Sequence, residues 1–333
     1  MKKYIILLFV VMAAQNTNAQ KEYKIINIFH IASGGGWDYL AVHGDKLYVS
    51  HGTQVNILDK TTGDSLGIIH NTIGIHGIAF NDALGKGYTS NGRLNNVFVF
   101  DLSTNKVLDS VITGQNPDAI MYEYYTKKII TCNGRSNDLT IIDPISNKVI
   151  ATIPVGGKPE TAVSNNEGKL FVNIEDKNLI AVIDLKTMKM IKTLPLDGGE
   201  EPTGLAYDDQ TKRLFAGCDK LLVVLDAVSG KVMKKITIGE GCDGVTLDNA
   251  TKTIFTSNGE DGTMTVIKEK SANEFVVVEN VITKKGARTI TIDETTHTLY
   301  LPTADFEANT PPGQRPKMLP GSFQVLSIKQ LTK

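Results

Sequence analysis

The sequence predicts an all-β protein folded as a seven-bladed β-propeller, and three observations lead to this prediction. The first is a strand-like segment that recurs about every 42 residues and ends in Asp in five copies, with Asp-to-Asp steps of 42, 42, 41 and 42. These copies are Val55–Asp59, Val97–Asp101, Leu139–Asp143, Ile180–Asp184 and Leu222–Asp226. Two further copies end at Lys268 and Ser327, which are 42 and 59 residues further on. A period of roughly 40–45 residues with only strand signals is typical of four-stranded propeller blades.

The second observation is that each repeat divides into four strand-like segments. In the second repeat these are residues 77–80, 86–90, 95–102 and 106–112, separated by segments rich in Asn, Asp and Gly. Branched residues that alternate along short segments favour strands, and Asn, Asp and Gly favour the turns between them. The third observation is a count of seven inner strands, predicted at residues 39–42, 77–80, 119–122, 161–164, 204–207, 244–247 and 289–292.

The last repeat lacks one strand. It ends at Ile328 with three strands, while residues 23–31 form a lone strand-like segment before the first repeat. We therefore predict that this N-terminal strand is the outer strand of the last blade, because the pairing joins the chain ends and removes two free sheet edges. Residues 20–333 are then expected to form one propeller domain, which we expect to be a monomer.

The Asp that ends the third strand of each blade has a predicted structural role. Asp59, Asp101, Asp143, Asp184 and Asp226 each precede a turn. A carboxylate at this position can accept hydrogen bonds from the backbone amides of the turn. We expect this role rather than a catalytic one.

Residues 1–19 are predicted to be a signal peptide. Lys2 and Lys3 precede a short apolar run from residue 4 to 14, and Ala19 is a small residue suited to cleavage before Gln20. The run is too short to cross a bilayer, and the mature chain contains no longer one, although an uncleaved anchor is the alternative. We expect a periplasmic or secreted protein with no membrane span after cleavage near Ala19.

The charge balance disfavours some partners. After cleavage the chain carries 33 basic and 36 acidic residues, a formal charge of −3, and it has no basic run. Binding to nucleic acid or to an anionic membrane through bulk charge therefore has no support. The expected partners are a small molecule or another exported protein.

The three cysteines leave more than one interpretation open. An odd number in an oxidising compartment means that at least one thiol is unpaired, and Cys132 lies in an alternating strand that favours a small buried side chain. Cys218 and Cys242 lie near the same end of adjacent blades. They could form a disulfide, ligate a soft metal or remain two free thiols.

The strongest functional pattern is a set of polar residues that enter the inner strands. In an antiparallel blade, the start of the first strand and the end of the second share one face, so these residues should converge on one mouth of the central channel. Crowded carboxylates there should have raised pKa values unless a cation relieves them. The set is Asp38, His76, Asp118, Glu160, Thr203, Asp243 and Arg288.

Residues at the ends of the second strands should reach the same face. Asn-Gly is first a turn signature, but polar side chains at these loops are also candidate ligand contacts. Trp37 either packs on the rim or stacks on a ligand. The further candidates are Asn91, Arg93, Asn133, Arg135, Asn173, Glu175 and Asn258, together with Glu201, which lies just before an inner strand. The 59-residue step between the last two repeats places an insertion at residues 303–322 on this face. We expect this insertion to be a lid over the mouth or, alternatively, a loop that has no function of its own or is partly disordered.

The repeat resembles that of the YVTN-repeat propellers, which are YncE-like exported proteins. The motifs that carry the resemblance are the Gly-x-x-Pro turn at residues 114–117, the Leu-Tyr-Val strand at 46–50, and the fourth strand with its following turn at 148–159. The resemblance covers residues 23–328 and implies the fold and export. It does not imply one activity, because such propellers serve many roles.

Three functions remain open from the sequence. The first is a non-catalytic propeller that binds a small ligand, a metal ion or a partner protein at the mouth. The second is a Ca²⁺-type hydrolase such as a lactonase, with oxygen ligands from Asn and acidic residues. The third is docking to a redox protein. If a divalent cation binds, the candidate ligands are Asp118, Glu160 and Asp243.

Cleavage of the signal peptide can be tested directly. If the full-length chain is expressed with export intact, the mature protein should begin at Gln20. Intact-mass measurement of the exported fraction reports this directly. A mass that still includes residues 1–19 would support the uncleaved anchor instead.

Overall fold

The computed structural model describes residues 21–308 and 316–332, and it shows seven four-stranded antiparallel sheets arranged in a ring. The predicted all-β, seven-bladed β-propeller is therefore confirmed. The predicted signal peptide, residues 1–19, and the tip of the insertion, residues 309–315, lie outside this description. No helix long and apolar enough to cross a bilayer occurs within the described ranges.

Within the first six blades the strands run in sequence from the channel to the periphery. Blade 1 contains β2 (Trp37–His43), β3 (Lys46–His51), β4 (Gln54–Asp59) and β5 (Ser65–Ile69). Blade 2 contains β6 (Ile75–Asn81), β7 (Lys86–Asn91), β8 (Asn96–Asp101) and β9 (Val107–Ile112). Blade 3 contains β10 (Pro117–Glu123), β11 (Lys128–Asn133), β12 (Asp138–Asp143) and β13 (Lys148–Pro154).

The next three blades repeat this order. Blade 4 contains β14 (Pro159–Ser164), β15 (Lys169–Ile174), β16 (Leu179–Asp184) and β17 (Lys189–Pro195). Blade 5 contains β18 (Leu205–Asp208), β19 (Arg213–Cys218), β20 (Leu221–Asp226) and β21 (Val232–Thr237). Blade 6 contains β22 (Cys242–Asp248), β23 (Thr253–Asn258), β24 (Thr263–Ser271) and β25 (Glu274–Ile282). Three short 3₁₀ turns lie at Asp82–Leu84, Gly92–Leu94 and Glu175–Lys177.

Blade 7 is assembled from both ends of the chain. It contains β26 (Thr291–Asp293), β27 (Thr298–Thr303), β28 (Gln324–Thr332) and, on the outside, β1 (Lys21–His30). β1 pairs antiparallel with β28 along its whole length, from Lys21 opposite Thr332 to His30 opposite Gln324. The predicted closure by the N-terminal strand is confirmed.

The hydrophobic core lies between neighbouring blades. Ile130 and Ile141 of blade 3 pack with Leu170 and Val172 of blade 4 in one buried cluster. This arrangement follows from strands that are apolar on both faces, because each sheet is covered by a neighbour on either side. The outer strands are more exposed, as Leu108 in β9 shows.

The Asp at the end of each third strand binds the following turn, as predicted. All five carboxylates accept hydrogen bonds from turn amides, with nitrogen-to-oxygen distances between 2.7 and 3.0 Å. At Asp101, hydrogen bonds from Ser103 and Thr104 lower the carboxyl pKa to about 2. These donors favour the ionised form, so the charge helps to hold the turn.

The inner strands of several blades are irregular at their first residues. In five blades the register of the inner strand shifts over its first residues. In blade 1, Trp37 pairs with His51 and the next pair is Leu40 with Val49, so two residues lie opposite Ser50 alone. Similar shifts occur in blades 2, 3, 4 and 6. Such bulges re-aim side chains at the rim of a sheet, and here they affect the predicted ring positions.

The closing strand provides a stability test. Phe29 in β1 is 4% exposed and packs in a cluster with residues of blade 1, whereas Ile28 on the opposite face of β1 is 46% exposed. Phe29→Ala should lower the free energy of unfolding by about 3–5 kcal/mol, because it leaves a cavity in the closing blade. Urea unfolding measures this loss.

Ile28→Ala is the matched control, and it should change the free energy of unfolding by less than about 1 kcal/mol. Equal effects of the two substitutions would contradict the closure of the ring by β1.

Candidate functional site

The ring residues predicted from the repeat converge at one end of the channel. Asp38, His76, Asp118, Glu160 and Asp243 each occupy the second position of an inner strand. Arg288 and Thr203 precede the two shorter inner strands, β26 and β18. Contacts between blades, described next, connect most of this ring.

The middle of the ring is an imidazole between two carboxylates. The Nδ1 atom of His76 lies 2.6 Å from Oδ2 of Asp38 and 3.7 Å from Oδ1 of Asp118. Burial alone would lower the pKa of His76, but the hydrogen bond to Asp38 and the charge of Asp118 outweigh burial and raise it. Burial and repulsion from Asp38 raise the pKa of Asp118 to about 7. The crowding predicted from the sequence is therefore present at Asp118.

Arg288 neutralises the next part of the ring. Its Nη1 atom lies 2.5 Å from Oδ2 of Asp243, and its Nη2 atom donates to the backbone oxygen of Trp37 at 2.6 Å. One guanidinium thus contacts blades 6 and 1 from the start of blade 7. Burial still raises the pKa of Asp243, although the adjacent guanidinium opposes this.

Lys158 neutralises the other side of the ring, and sequence reasoning missed it. Its ammonium group lies 2.6 Å from Oε1 of Glu160 and also bonds Glu175. The two carboxylates raise the pKa of Lys158 even though burial acts in the opposite direction. The available signal was its place in the turn Gly157-Lys158-Pro159, one residue before the inner strand.

Tyr39 is a second group that the sequence prediction did not include. Its hydroxyl lies 3.4 Å from Oγ1 of Thr161, so the side chain reaches from blade 1 to blade 4 across the channel. Burial, with the charges of Asp118 and Glu160, raises the pKa of the phenol well above its usual value. Tyr39 therefore provides a neutral hydroxyl below the ring. A smaller cavity of about 170 Å³ lies beside it.

Hydroxyl groups fix the backbone of the ring residues from neighbouring blades. Ser90 donates to the backbone oxygen of Asp118, and Ser257 donates to that of Arg288. Thr289 donates to the backbone oxygen of Asp38 at 2.6 Å. Thr203, the seventh predicted ring residue, donates to the backbone oxygen of Cys242 at 2.6 Å and thus links blades 5 and 6.

Three predicted contacts at the mouth are instead inside their blades. Asn91, Asn133 and Asn258 are 0% exposed. Each accepts a hydrogen bond from a Thr two residues earlier and donates to side chains of the third strand or the loop before it. The structure does not bring these amides into the mouth. The oxygen-ligand set suggested for a Ca²⁺-type hydrolase is therefore not assembled.

Three other candidates form no hydrogen bond or ion pair with the charged side chains of the ring among the described residues. Asn173 is 0% exposed, and its amide donates to the backbone oxygens of Thr203 and Gly204, so it links blade 4 to blade 5. Arg93 and Arg135 are exposed in the loops after β7 and β11. Neither arginine lines the mouth cavity described next.

A cavity of about 730 Å³ opens at this end of the propeller. Five carboxylates and one guanidinium lie on its wall within the described ranges. These are Glu175, Glu201, Asp219, Asp243, Glu260 and Arg288. The wall also includes an apolar side, formed by Trp37, Phe306, Pro316 and Met318. The cavity is thus acidic on one side and apolar on the other.

Trp37 mainly packs against the protein. It is 8% exposed, and its ring stacks on Phe323 with centroids 5.4 Å apart and lies 6.0 Å from Phe306. Its Nε1 atom has no hydrogen-bond partner in the described part of the chain. The packing role considered for Trp37 is present, and the residue also lines the cavity.

The base of the insertion forms part of the apolar side of the cavity. Phe306 and Met318 form an isolated β-bridge, and Asp305 forms an ion pair with Lys284. Phe306 and Met318 both line the cavity. The insertion therefore reaches the predicted face, although its tip, residues 309–315, lies outside the described ranges.

The glycine-rich segment before Trp37 permits a close backbone approach. A Cβ on Gly35, whose φ is +115°, would lie 2.7 Å from Cα of Gly52. The backbone oxygen of Gly35 is 2.8 Å from Nε2 of His51, whose ring stacks on Phe323 at 3.7 Å. Burial lowers the pKa of His51 to about 4, so this histidine is neutral near pH 7.

All three cysteines are buried free thiols. Burial raises the pKa of Cys218 to about 12 and raises that of Cys242 as well. Of the alternatives for Cys218 and Cys242, the structure contains two unpaired thiols. Because the thiolate is the reactive form, these side chains are poor nucleophiles at neutral pH.

Of the three candidate metal ligands, the structure leaves one in a potential metal cluster. Asp118 groups with Asp38 and His76, and their ligand atoms lie within 4.8 Å of one another. Glu160 and Asp243 are instead engaged by Lys158 and Arg288.

Comparisons with known proteins show the fold alone. No family model and no curated protein matches the sequence. A chain of the Kuenenia stuttgartiensis hydrazine synthase structure aligns with a TM-score of 0.69 and 14% identity, over 78% of this chain and 89% of that chain. A chain of a mitotic checkpoint complex aligns with a TM-score of 0.72 and 12% identity, over 90% and 95%.

The pair of Arg288 and Asp243 predicts a pH-dependent loss of stability. Arg288→Gln should lower the free energy of unfolding by about 1–3 kcal/mol near pH 8, since a partly buried carboxylate loses its partner and part of the charge remains screened by solvent. A carboxyl with a raised pKa in the folded state destabilises the fold once it ionises. The loss should therefore shrink toward pH 4. Urea unfolding across this range measures it.

The double variant Arg288→Gln with Asp243→Asn is the control, because it removes both charges. It should recover much of the stability lost by the single variant at pH 8. A loss that is independent of pH, or no recovery in the double variant, would contradict the electrostatic explanation.

Proposed function

We propose that this protein is an exported propeller that binds a small organic cation with an apolar group in the mouth cavity, without catalysing a reaction. The observation that carries the proposal is the cavity wall, where five carboxylates oppose one guanidinium beside an apolar side. Export rests on the predicted signal peptide, and the YVTN-repeat resemblance supports a periplasmic or secreted location.

The charges support a cationic ligand. Glu175 and Asp243 already contact Lys158 and Arg288, respectively. Glu201, Asp219 and Glu260 are exposed on the wall, where they add negative potential. Charges of one sign around a cleft raise the local concentration of counter-ions and speed their entry.

The apolar side supports an organic ligand rather than a bare ion. Phe306, Met318 and Trp37 form this side of the cavity. A volume of about 730 Å³ is within the range of small-molecule sites, which is roughly 300–1,000 Å³.

The state of the wall nucleophiles supports binding rather than covalent chemistry. The thiol of Cys242 donates a weak hydrogen bond to the backbone oxygen of Gly244 at 3.7 Å, and burial keeps it protonated. The hydroxyl of Thr203 donates to the backbone oxygen of Cys242. Among the described residues, no basic group contacts the thiol of Cys242 or the hydroxyl of Thr203 in a position to remove its proton.

The test uses the mature chain and matched ligands. Phenethylamine and phenyltrimethylammonium represent the proposed class, and phenylacetate and benzyl alcohol are the anionic and neutral analogues. Calorimetry should detect the cations and give at least tenfold weaker binding for the analogues. The triple variant Glu201→Gln, Asp219→Asn, Glu260→Gln should weaken cation binding at least tenfold.

Glu274→Gln is the control, since Glu274 is an exposed acid that pairs with Lys270 and does not line the cavity. It should change cation affinity less than twofold. Preferred binding of phenylacetate, or no binding of any cation at millimolar concentration, would overturn the proposal.

A further inference from the structure

We infer that Asp38, His76 and Asp118 form a binding site for one divalent transition-metal ion of the zinc type. This inference is independent of the proposed organic cation, because Asp38, His76 and Asp118 are not among the residues that line the cavity. The site draws one side chain from each of blades 1, 2 and 3. Its ligand atoms are two carboxylate oxygens and one imidazole nitrogen within 4.8 Å of one another.

The spacing of these atoms suits a small coordination shell. A tetrahedral zinc ion with bonds of about 2.0–2.1 Å places its ligand atoms roughly 3.3–3.4 Å apart. Nδ1 of His76 lies 2.6 Å from Oδ2 of Asp38 and 3.7 Å from Oδ1 of Asp118, on either side of that value. Changes of less than about 1 Å in these two separations would reach the tetrahedral value. The metal would replace the proton that Nδ1 and Asp38 now share.

A second observation points to a missing ligand at Asp118. This residue is 8% exposed, and no hydrogen-bond donor reaches its carboxylate in the contacts of the described residues. Its nearest cationic group is His76, whose Nδ1 is 3.7 Å away. A largely buried carboxylate whose one ion-pair partner is a titratable imidazole is poorly stabilised when charged, and buried charges in proteins are usually paired or bind a metal.

The other two ring carboxylates each contact a permanent cation. Lys158 contacts Glu160, and Arg288 contacts Asp243. Both cations remain protonated at neutral pH, so these acids do not require a metal. The three-residue cluster lacks such a permanent cation, and an imidazole readily gives up its proton to a metal.

The backbone of the cluster is held in place by neighbouring blades. Thr289 donates to the backbone oxygen of Asp38, and Ser90 donates to that of Asp118. Both oxygens belong to the irregular starts of inner strands, where the side chains turn away from the regular sheet. Ligands fixed in this way need little reorganisation when a metal binds.

The donor set favours zinc-type ions over calcium. Calcium takes six to eight oxygen ligands, whereas zinc accepts nitrogen and carboxylate oxygen in a four-coordinate shell. The buried amides of Asn133 and Asn258 are held in hydrogen bonds within their blades and cannot complete an oxygen-rich shell. One imidazole and two carboxylates therefore match a transition-metal ion.

The experiment measures metal binding by the full mature chain after treatment with a chelator. Titration with zinc chloride in a calorimeter should give one ion per chain, and cobalt chloride should give the visible absorption of a tetrahedral site. Asp118→Asn and His76→Gln should each weaken zinc binding at least tenfold and abolish the cobalt absorption. Calcium chloride should not compete with zinc.

Matched controls come from a second histidine–carboxylate pair. His43 lies 2.5 Å from Asp82 on the surface, without another carboxylate in the contact. His43→Gln and Asp82→Asn should change zinc affinity less than twofold. Thermal unfolding of every variant, without metal, shows whether it is folded. Zinc should raise the melting temperature of the wild type but not of folded Asp118→Asn.

Three results would overturn the inference. These are no zinc binding by the wild type at millimolar concentration, unchanged zinc binding in both folded ring variants, or an equal loss in the surface controls. None of them bears on the organic cation, whose variants remove Glu201, Asp219 and Glu260.

Discussion

The pairing of β1 with β28 is the constraint on which the rest of the structure depends. It makes the chain's first described strand the outer edge of its last blade, and it brings blade 7 against blade 1. Only in the closed ring can Arg288 contact both Asp243 and the backbone of Trp37. The same closure lets Thr289 hold the backbone of Asp38. The polar mouth is therefore a product of ring closure rather than of any single blade.

Ring closure brings four carboxylates together, and their positively charged partners differ in kind. Four carboxylates approach one axis, and each would disfavour ionisation of its neighbours. Lys158 and Arg288 place permanent positive charges beside Glu160 and Asp243, although burial and repulsion from Asp118 still raise the pKa of Glu160 to about 9. Asp118, with its pKa raised to about 7, shares only a titratable imidazole. Asp118 and Asp38 are thus the ring carboxylates that share a titratable imidazole instead of a permanent cation, which leaves their part of the ring open to an added cation.

The repeat made the fold and the ring predictable, because equivalent positions in a repeat occupy equivalent places around an axis. The same reasoning failed for Asn133, since an Asn-Gly turn at the mouth and one buried inside a blade have the same local sequence. Lys158 was missed because Gly occupies the equivalent position in four of the other six repeats, and Tyr39 was missed because Gly, Ala or Thr occupies its position in all six. Phe306 and Met318 lie in an insertion without periodicity, so only the structure shows that they form a cavity wall.

The hydroxyl of Ser90 fixes the backbone of a ring residue in the neighbouring blade. It belongs to the second strand of blade 2, yet it holds the main chain of Asp118 in blade 3. Ser90 is fully buried, so it never meets a solute. Its loss would free the neighbouring backbone while leaving every chemical group at the opening intact. The positions of the ring side chains consequently depend on hydrogen bonds between blades as well as on the ring residues themselves.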